Sequence, residues 1–182
     1  MRPRLGDVQQ MRMLTRLLCL SFFLCLPTQG TTGPYSEYQL KAAFLYNFAL
    51  FTEWPDQVGD TLYLCVHGRD PFGEDLAKLD HRSVGTRTIL TRHTLTLTEL
   101  QSCQMVFISS AAIGQLPQIL GTLEGAPVLT VADTPGAMRQ GVALNMVRQH
   151  NRIAFEANLM AARAHGLNLS SRLLRLATEV EQ

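Results

Sequence analysis

YSEYQLKAAFLYNFALFTEWP, residues 35–55, is the stretch of sequence that decides the fold. Ser36 and Gln39 have the spacing of a capping box, in which each side chain bonds a free backbone N–H at the start of a helix. Tyr35 and Leu40 flank this cap at the spacing of a hydrophobic staple. The final proline disfavours helical backbone at the residue before it. The helix is therefore predicted to begin after Ser36 and to end by residue 52 or 53.

The apolar side chains of this helix fall on two faces. The main stripe contains Leu40, Phe44, Phe48 and Phe51, and a second face contains Ala42, Leu45 and Ala49. We therefore expect the helix to be buried on more than one side. Asn47 is expected to be a buried amide bonded to nearby backbone, with a ligand contact as the alternative. Lys41 is expected to be a solvated or snorkelling side chain.

Residues 1–30 are predicted to be an export signal that is removed. Four arginines precede a ten-residue apolar run at 17–26, and small residues follow where a signal peptidase would cleave. A run of this length is shorter than the roughly 20 apolar residues that a spanning helix needs. The mature chain, residues 31–182, is therefore predicted to be one exported domain with no direct membrane span.

The charge of the mature chain is distributed unevenly. Without residues 1–30 the chain has 12 basic and 14 acidic residues, which argues against nucleic acid as a partner, since that calls for a basic surface. Residues 31–80 hold eight acids and three bases, whereas residues 137–178 hold six Arg and one acid, Glu156. This arginine-rich part is interpreted either as solvated surface or as a face presented to an acidic partner.

Cys65 and Cys103 remain after the export signal is removed. Two thiols of an exported protein can form a disulfide when their Cα atoms come within about 7 Å. Cys65 lies in an apolar run with strand character, and Cys103 lies just before another such run. A disulfide is predicted if these two strands are neighbours, and two buried free thiols are the alternative.

Short apolar runs predict the strands of an α/β fold. The runs are 62–66, 87–92, 105–108 and 127–132, and helical patterns occur at 74–79 and 111–123. Such alternation is typical of a parallel sheet with helices on its faces. The predicted fold class is α/β: a single three-layer domain with a mixed, mostly parallel sheet flanked by helices.

The C-terminal part is predicted to add a β-hairpin and two helices. Residues 142–147 and 152–158 have the pattern of two strands joined by a short turn. Asn158 is expected to cap a short helix that stops at Gly166. Ser170 is expected to cap a last helix that continues through Val180.

No motif assigns a reaction. The histidines lack zinc-binding spacing, no serine lies in a G-x-S-x-G elbow, and Glu74 and Asp75 stand where a phosphate loop needs Lys and Ser or Thr. Ser109 and Asp133 follow strands, where α/β folds place ligand-binding groups, but helix caps and turns use the same residue types. We predict that the chain is not an enzyme and that it has no catalytic residue, metal or cofactor.

Segments at both ends of the mature chain together resemble the YfiR family. They are KAAFLYNFALFTEWP near the start and RIAFEAN, AARAHGL and SSRLLRLA near the end, and they bracket 41–177. The resemblance implies a periplasmic α/β protein that binds the periplasmic sensor domain of an inner-membrane diguanylate cyclase and inhibits cyclic-di-GMP synthesis. It also implies an outer-membrane lipoprotein as a second partner, and a homodimer.

The same family is associated with redox control through disulfides. Cys65 and Cys103 fall where one of its pairs would lie. Some members carry a second pair, and this chain has Met138 and Asn145 near that place instead. A switch that depends on the second bridge is therefore not expected here.

The leading hypothesis is a repressor that acts by binding. Its predicted partner-binding residues are Phe155 and Glu156, with Arg152, Arg163, Arg172 and Arg175 as electrostatic contributors. The bland alternative for Glu156 is local pairing with Arg152 or Arg148 within an edge strand. The alternative functions are a periplasmic small-molecule-binding sensor, with a pocket near the strand ends after residues 108 and 132, and a hydrolase with dispersed residues.

Overall fold

Helix α1, Glu37–Phe51, lies across one face of the sheet and begins as predicted. The computed structural model describes residues 35–150 and 152–182, so the predicted export signal lies outside the described residues. The Ser36 hydroxyl accepts a hydrogen bond from the Gln39 N–H at 3.0 Å, and the Gln39 side chain accepts one from the Ser36 N–H at 3.4 Å. The capping box is therefore confirmed, and the helix ends at Phe51 with Thr52 as its C-cap, as predicted.

The remaining helices are short. They are α2 (Glu74–Ala77), α3 (Leu116–Leu123), α4 (Leu159–Ala164) and α5 (Ser171–Leu174). Turns of 3-10 helix occur at Asp56–Val58, Thr98–Ser102, Ile113–Gln115 and Met138–Gln140. The strands are β1 (Thr52–Glu53), β2 (Thr61–His67), β3 (Ser83–Val84), β4 (Arg87–Thr94), β5 (Met105–Ile108), β6 (Leu129–Ala132), β7 (Leu144–Gln149), β8 (Arg152–Asn158), β9 (Asn168–Leu169) and β10 (Glu179–Glu181).

Eight of these strands form one mixed sheet in the order β10-β8-β7-β6-β5-β2-β4-β3. Strands β7, β6, β5, β2 and β4 run parallel, whereas β8 pairs with β7 as an antiparallel hairpin. The short strands β1 and β9 pair separately and tie the end of α1 to the segment before α5. The predicted mostly parallel sheet with a C-terminal hairpin is confirmed.

Helices cover both faces of the sheet. Helices α1, α2, α4 and α5 pack with Phe107, Val131 and Phe155 on one face. Helix α3 packs through Leu116, Ile119 and Leu123 on the opposite face. The predicted three-layer arrangement is therefore present. Among residues 35–150 and 152–182, no helix combines the length and the apolar character that crossing a bilayer requires.

The disulfide joins the two strands at the centre of this sheet. Cys65 lies in β2, Cys103 precedes β5, and β2 and β5 are parallel neighbours. Their Cα atoms are 6.0 Å apart and the sulfurs are bonded. Both residues are buried. The predicted Cys65–Cys103 bridge is present, and the alternative of two free thiols is set aside.

Two predicted helices have different bounds. The pattern at 111–123 becomes a 3-10 turn followed by α3, because Pro117 occupies the first turn of the α-helix, where its missing N–H costs nothing. The last helix was predicted to reach Val180, but α5 ends at Leu174 and the chain continues as β10. The backbone N–H and C=O groups of β10 form hydrogen bonds with β8, and a strand therefore replaces the last turns of the predicted helix.

Loss of the Cys65–Cys103 bridge is expected to lower the free energy of unfolding by about 4 kcal/mol, because the bridge closes a loop of 38 residues in the unfolded chain. The test compares urea denaturation of the wild-type domain and of a Cys65→Ala, Cys103→Ala variant, each with and without dithiothreitol. Reductant should lower the wild-type midpoint and leave that of the variant unchanged. An unchanged wild-type midpoint on complete reduction contradicts the prediction.

Candidate functional site

A buried ion pair joins α1 to the carboxyl edge of the sheet, where the parallel strands end. Asp133 follows β6, and its carboxylate accepts a hydrogen bond from the Lys41 ammonium at 2.7 Å. Lys41 also contacts Glu37, one turn earlier, at 2.6 Å. Lys41 is only 5% exposed. The prediction that it is solvated or snorkelling is therefore wrong, because two carboxylates compensate its burial.

Aromatic rings complete the cover over Asp133. The Tyr38 hydroxyl donates to the Asp133 carboxylate at 3.4 Å, and the Lys41 ammonium lies 4.5 Å from the centre of the Tyr38 ring. The Tyr38 ring packs edge to face on Phe72, which packs in the same way on Phe107 of β5. The N-terminal half of α1 thus covers the sheet edge at which α/β proteins commonly bind ligands.

The proton affinities of this cluster follow from its geometry. Burial alone lowers the pKa of Lys41, but hydrogen bonds to Asp133 and Glu37 outweigh it, so the pKa lies above its ordinary value. The hydrogen bond from Lys41 lowers the pKa of Glu37. Burial, reinforced by the negative charge of Asp133, raises the pKa of Tyr38. Lys41 and Glu37 are thus held in their charged forms near neutral pH, and Tyr38 stays protonated.

The space beyond the ends of β2 and β5 is closed by the backbone of Gly68, which lies close to the Ser109 and Ala112 side chains. After β2 the chain continues towards β4, and after β5 it continues towards β6 on the other side. In α/β folds, ligands commonly bind in the crevice at such a reversal of direction. Gly68 has a φ of +89°, and a Cβ there would lie 2.6 Å from the Ser109 hydroxyl and 2.9 Å from the Ala112 methyl group. Glycine is therefore required at this position, because other residues rarely adopt this positive φ and because any Cβ would collide with these two side chains.

His67 ends β2 beside this glycine. It is buried, and its Nδ1 lies 3.1 Å from the Thr94 hydroxyl at the end of β4. Burial lowers the pKa of the His67 imidazole. The neutral ring is therefore part of the packed edge, and charging it requires that the packing be disturbed.

Three buried polar atoms near this edge have no hydrogen-bond partner among the described residues. They are the hydroxyls of Ser109 and Thr134 and the amide oxygen of Asn145. Ser109 follows β5, Thr134 follows β6 by one residue, and Asn145 pairs with Ala132 in the sheet. Ser109 does not cap the next helix, since α3 begins only at Leu116 and has no side-chain cap. Unsatisfied buried atoms of this kind call for a partner such as water or a ligand.

Phe155 is a core residue. It is 1% exposed, and its ring lies 5.1 Å from that of Phe48 and 5.9 Å from that of Phe44. The alternation of β8 turns Ile153, Phe155 and Ala157 towards α1. The prediction that Phe155 contacts a partner is therefore corrected, because its side chain holds α1 on the sheet.

Glu156 points to the opposite face of the sheet from Phe155. Its carboxylate accepts a hydrogen bond from the Asn145 side chain at 3.1 Å, across the β7–β8 hairpin. This amide replaces Arg152 or Arg148, which the bland alternative named as its local partner. The Arg148 guanidinium instead lies 3.5 Å from Glu37. Arg152, at the start of β8, is exposed on the same face as Glu156.

The other three predicted arginines lie elsewhere on the domain. Arg163 is exposed on α4, Arg172 is exposed on α5, and Arg175 follows α5. The Arg172 guanidinium lies 5.8 Å from the ring centre of Phe51, at the end of α1. The structure thus places Arg172 beside α1, whereas Arg152 starts a strand on the opposite face. The five charged residues do not form one continuous patch.

The outward face of α1 is a feature that the sequence prediction missed. Leu40, Ala43, Asn47 and Leu50 are exposed along it, whereas Lys41, Ala42, Leu45, Phe48 and Ala49 face the sheet. The expectation of a buried amide at Asn47 is therefore wrong, although its side chain does donate to the Ala43 carbonyl at 2.9 Å. The predicted main stripe is also split, since Phe48 is buried and Leu40 is 39% exposed. The helix is apolar all round, so its sequence did not show which side faces solvent.

Within the described ranges, no group of three or more His, Cys, Asp or Glu side chains is placed to hold a metal ion. Lys41, Tyr38 and Asp133 at the carboxyl edge instead form the structural contacts described above.

Replacing Lys41 with Met is expected to cost about 3–5 kcal/mol of stability, since it leaves the buried Asp133 carboxylate without its counter-charge. A Lys41→Met, Asp133→Asn variant should recover about half of that loss, because it removes the stranded charge. Lys78→Met is the matched control: Lys78 pairs with Asp75 at 2.7 Å but is exposed, so its loss should cost far less stability than the loss of Lys41. Chemical denaturation measures all three, and equal costs at the two lysines would contradict the prediction.

The buried His67 is expected to make the domain less stable as the pH falls below about 6.5. Its folded-state pKa is lowered, so the unfolded chain binds the proton first and acid shifts the equilibrium towards unfolding. Urea denaturation of the wild type and of His67→Gln at a series of pH values measures this. The wild type should lose more stability than the variant on acidification, and parallel curves would refute the role of His67.

A family model described as YfiR/HmsC-like matches residues 38–178. Curated protein sequences gave no match. The resemblance carried by the two ends of the mature chain is thus confirmed by a match that spans nearly the whole described domain.

Two solved structures share features of the fold. The ABC domain in complex with L-Trp from Streptococcus pneumonia has a TM-score of 0.53 and 8% identity, over 79% of this chain and 60% of that chain. A conserved domain protein from Vibrio cholerae has a TM-score of 0.48 and 8% identity, over 82% of this chain and 62% of that chain. This chain therefore spans about three-fifths of the length of these structures. The likeness to the first structure concerns the α/β fold alone.

The matched range begins within α1 and ends just before β10, so it contains the ion pair, the disulfide and the outward face of α1. The chain belongs to the YfiR/HmsC-like family, whose members are periplasmic regulators of cyclic-di-GMP signalling.

Proposed function

We propose that this protein is a periplasmic negative regulator that binds the periplasmic sensor domain of an inner-membrane diguanylate cyclase and inhibits cyclic-di-GMP synthesis. The observation that carries the proposal is the family match over residues 38–178. The geometry of the carboxyl edge supports binding in place of catalysis, because Lys41, Asp133 and Tyr38 are engaged in buried structural contacts.

The proposed mechanism is a shift in the population of two cyclase conformations. A regulator that binds the inactive conformation more tightly than the active one stabilises the inactive state by the difference in binding free energy. A hundredfold shift requires about 2.7 kcal/mol of differential binding. A difference of this size can come from a few charged or apolar contacts at a protein interface.

The charged residues predicted from the sequence remain candidates for the contact. Glu156 and Arg152 lie on the face of the hairpin opposite α1, and Arg163, Arg172 and Arg175 lie on or beside the last two helices. All five are accessible in part, and charge complementarity of this kind speeds association and selects the partner. An outer-membrane lipoprotein that sequesters the regulator, and a homodimer, belong to the same proposal.

Deletion of the coding sequence tests the proposed repression. Cellular cyclic-di-GMP should rise several-fold in the deletion strain and return to the wild-type level when the full-length chain is supplied from a plasmid. A chain that lacks residues 1–30 should fail to restore it, because the proposal requires export. An unchanged cyclic-di-GMP level in the deletion strain refutes negative regulation.

Charge reversal tests the proposed contact residues. Glu156→Arg and Arg172→Glu are each expected to weaken capture of the purified cyclase sensor domain by about tenfold. Arg92→Glu is the control, since Arg92 is exposed on β4, towards the opposite edge of the sheet, and should change capture by less than about twofold. Undiminished capture by both test variants removes these residues from the interface.

The unpartnered hydroxyls favour a second candidate function, a periplasmic small-molecule-binding sensor. The Ser109 and Thr134 hydroxyls lie after β5 and β6, where the sequence predicts a pocket, and both lack a partner in the described structure. One structural neighbour is a complex with L-Trp, so L-Trp is the first compound to test. A rise in melting temperature that is lost in Ser109→Ala and Thr134→Val would support this function. The absence of any shift across amino acids and related small acids would oppose it.

A further inference from the structure

The outward face of α1 has the residue spacing of a helix-packing seam. Leu40, Ala43, Asn47 and Leu50, here called the α1 seam, are separated by three, four and three residues. This is the a-d-a-d spacing that brings one row of side chains against a second helix. All four are exposed in the described chain. The seam is thus a row of packing positions that no other described residue covers.

The composition of the seam is unusual for a solvent-facing helix surface. A surface helix normally carries charged residues opposite its buried face, but none of the four seam residues is charged. Leu40 and Leu50 are each 39% exposed, although the buried face of the helix is complete without them. Tyr35, which is 70% exposed, extends the apolar surface beyond the start of the helix. Contiguous exposed apolar side chains of this kind are characteristic of a binding face.

Two arginines border the seam, one on each side. The Arg82 guanidinium stacks 4.0 Å from the ring centre of Tyr46, and that of Arg172 lies 5.8 Å from the ring centre of Phe51. Tyr46 and Phe51 occupy the helix positions that flank the seam on opposite sides, which correspond to the g and e positions of the heptad. No carboxylate within the described residues forms an ion pair with Arg82 or Arg172. Both positive charges are therefore available to a partner.

Two further cations beside the seam are already paired with carboxylates. Lys78 pairs with Asp75 at 2.7 Å, and Arg148 lies 3.5 Å from Glu37. The net charge bordering the apolar row is therefore positive. A second copy of this chain would bring its own arginine-bordered row against this one, and like charges across an interface oppose association. Charge complementarity thus favours a different chain with carboxylates in these positions.

We propose that the α1 seam is the docking site for an amphipathic helix of a partner protein, with an apolar row flanked by Asp or Glu side chains. The inference deepens the proposed function and rests on it in one respect, since the partner helix is assigned to the extracytoplasmic part of the regulated cyclase. The partner's apolar row packs against Leu40, Ala43 and Leu50. Its carboxylates pair with Arg82 and Arg172, and Asn47 fixes the register by an amide hydrogen bond.

Site-specific photo-crosslinking in living cells tests this docking site. The full-length chain carries p-benzoylphenylalanine in place of Leu40 or of Leu50, and adducts are identified by mass spectrometry of the cross-linked peptides. The matched controls carry the same group at Leu95 and Met160, which are 80% and 64% exposed but lie outside the seam. Both seam positions should give at least fivefold more adduct than either control. The adduct peptide should come from an Asp- or Glu-flanked helical segment.

Charge reversal supplies the second arm of the experiment. Arg82→Glu combined with Arg172→Glu should lower the adduct yield from Leu40 and Leu50 at least tenfold, whereas Arg82→Lys with Arg172→Lys should keep most of it. Circular dichroism and the melting temperature establish that each variant is folded. Adducts formed only between two copies of this chain, or yields no higher than at the control positions, overturn the proposal, as does a yield that is insensitive to charge.

The deletion experiment separates this inference from the proposed function. If cyclic-di-GMP does not change on deletion but seam adducts with an acidic helix persist, the docking site stands and the cyclase assignment fails. If cyclic-di-GMP rises on deletion but the seam gives no adduct, repression stands and the seam is excluded as its interface.

Discussion

The packing of α1 against β8 holds this domain together. The rings of Phe44 and Phe48 tilt against each other and both meet Phe155 edge to face, which joins the first helix of the domain to a strand more than 100 residues later. Each fully buried ring contributes about 2–3 kcal/mol from apolar burial. Helix α1 therefore helps to fix the C-terminal hairpin, which also pairs with the sheet through β7.

Polar contacts at the two ends of α1 set its position on that apolar surface. At one end, Lys41 bonds to Asp133 after β6, and at the other, Phe51 accepts a hydrogen bond from the Ser170 N–H at 2.9 Å. Apolar contacts tolerate small shifts, whereas hydrogen bonds to buried groups do not. The outward face of the helix is therefore held at a defined angle to the sheet, as a preorganised binding surface requires.

Local signals in the sequence predicted local structure well. The Ser36 capping box, the Asn158 cap and the β7–β8 hairpin each depend on residues close together in the chain, and each is present. Burial of Lys41 could not be predicted, since its partner Asp133 lies 92 residues away.

The errors at the candidate site have a similar physical origin. Phe155 and Glu156 are adjacent in a strand, so placing them on the sheet requires knowing which face α1 covers. The alternation is visible in the sequence, but its direction is set by tertiary contacts. On α1, apolar residues on every side left the solvent-facing row undefined, and only the packing of Phe48 and Leu45 identified it. The excess of arginine in the C-terminal part was visible in the sequence. The strand or helix that carries each arginine, and the side of the sheet on which it lies, follow from the tertiary fold.

The two ends of the sheet bear on how this protein can be recognised. At one margin, β3 is only two residues long, and at the other, β10 carries Glu179 and Glu181 with Val180 between them. Short or charged margins resist the addition of a foreign strand. Recognition through intermolecular β-pairing is thereby suppressed, as is the fibrous self-assembly that open margins invite. A binding protein with this architecture is left to meet its partners through side chains on its broad faces.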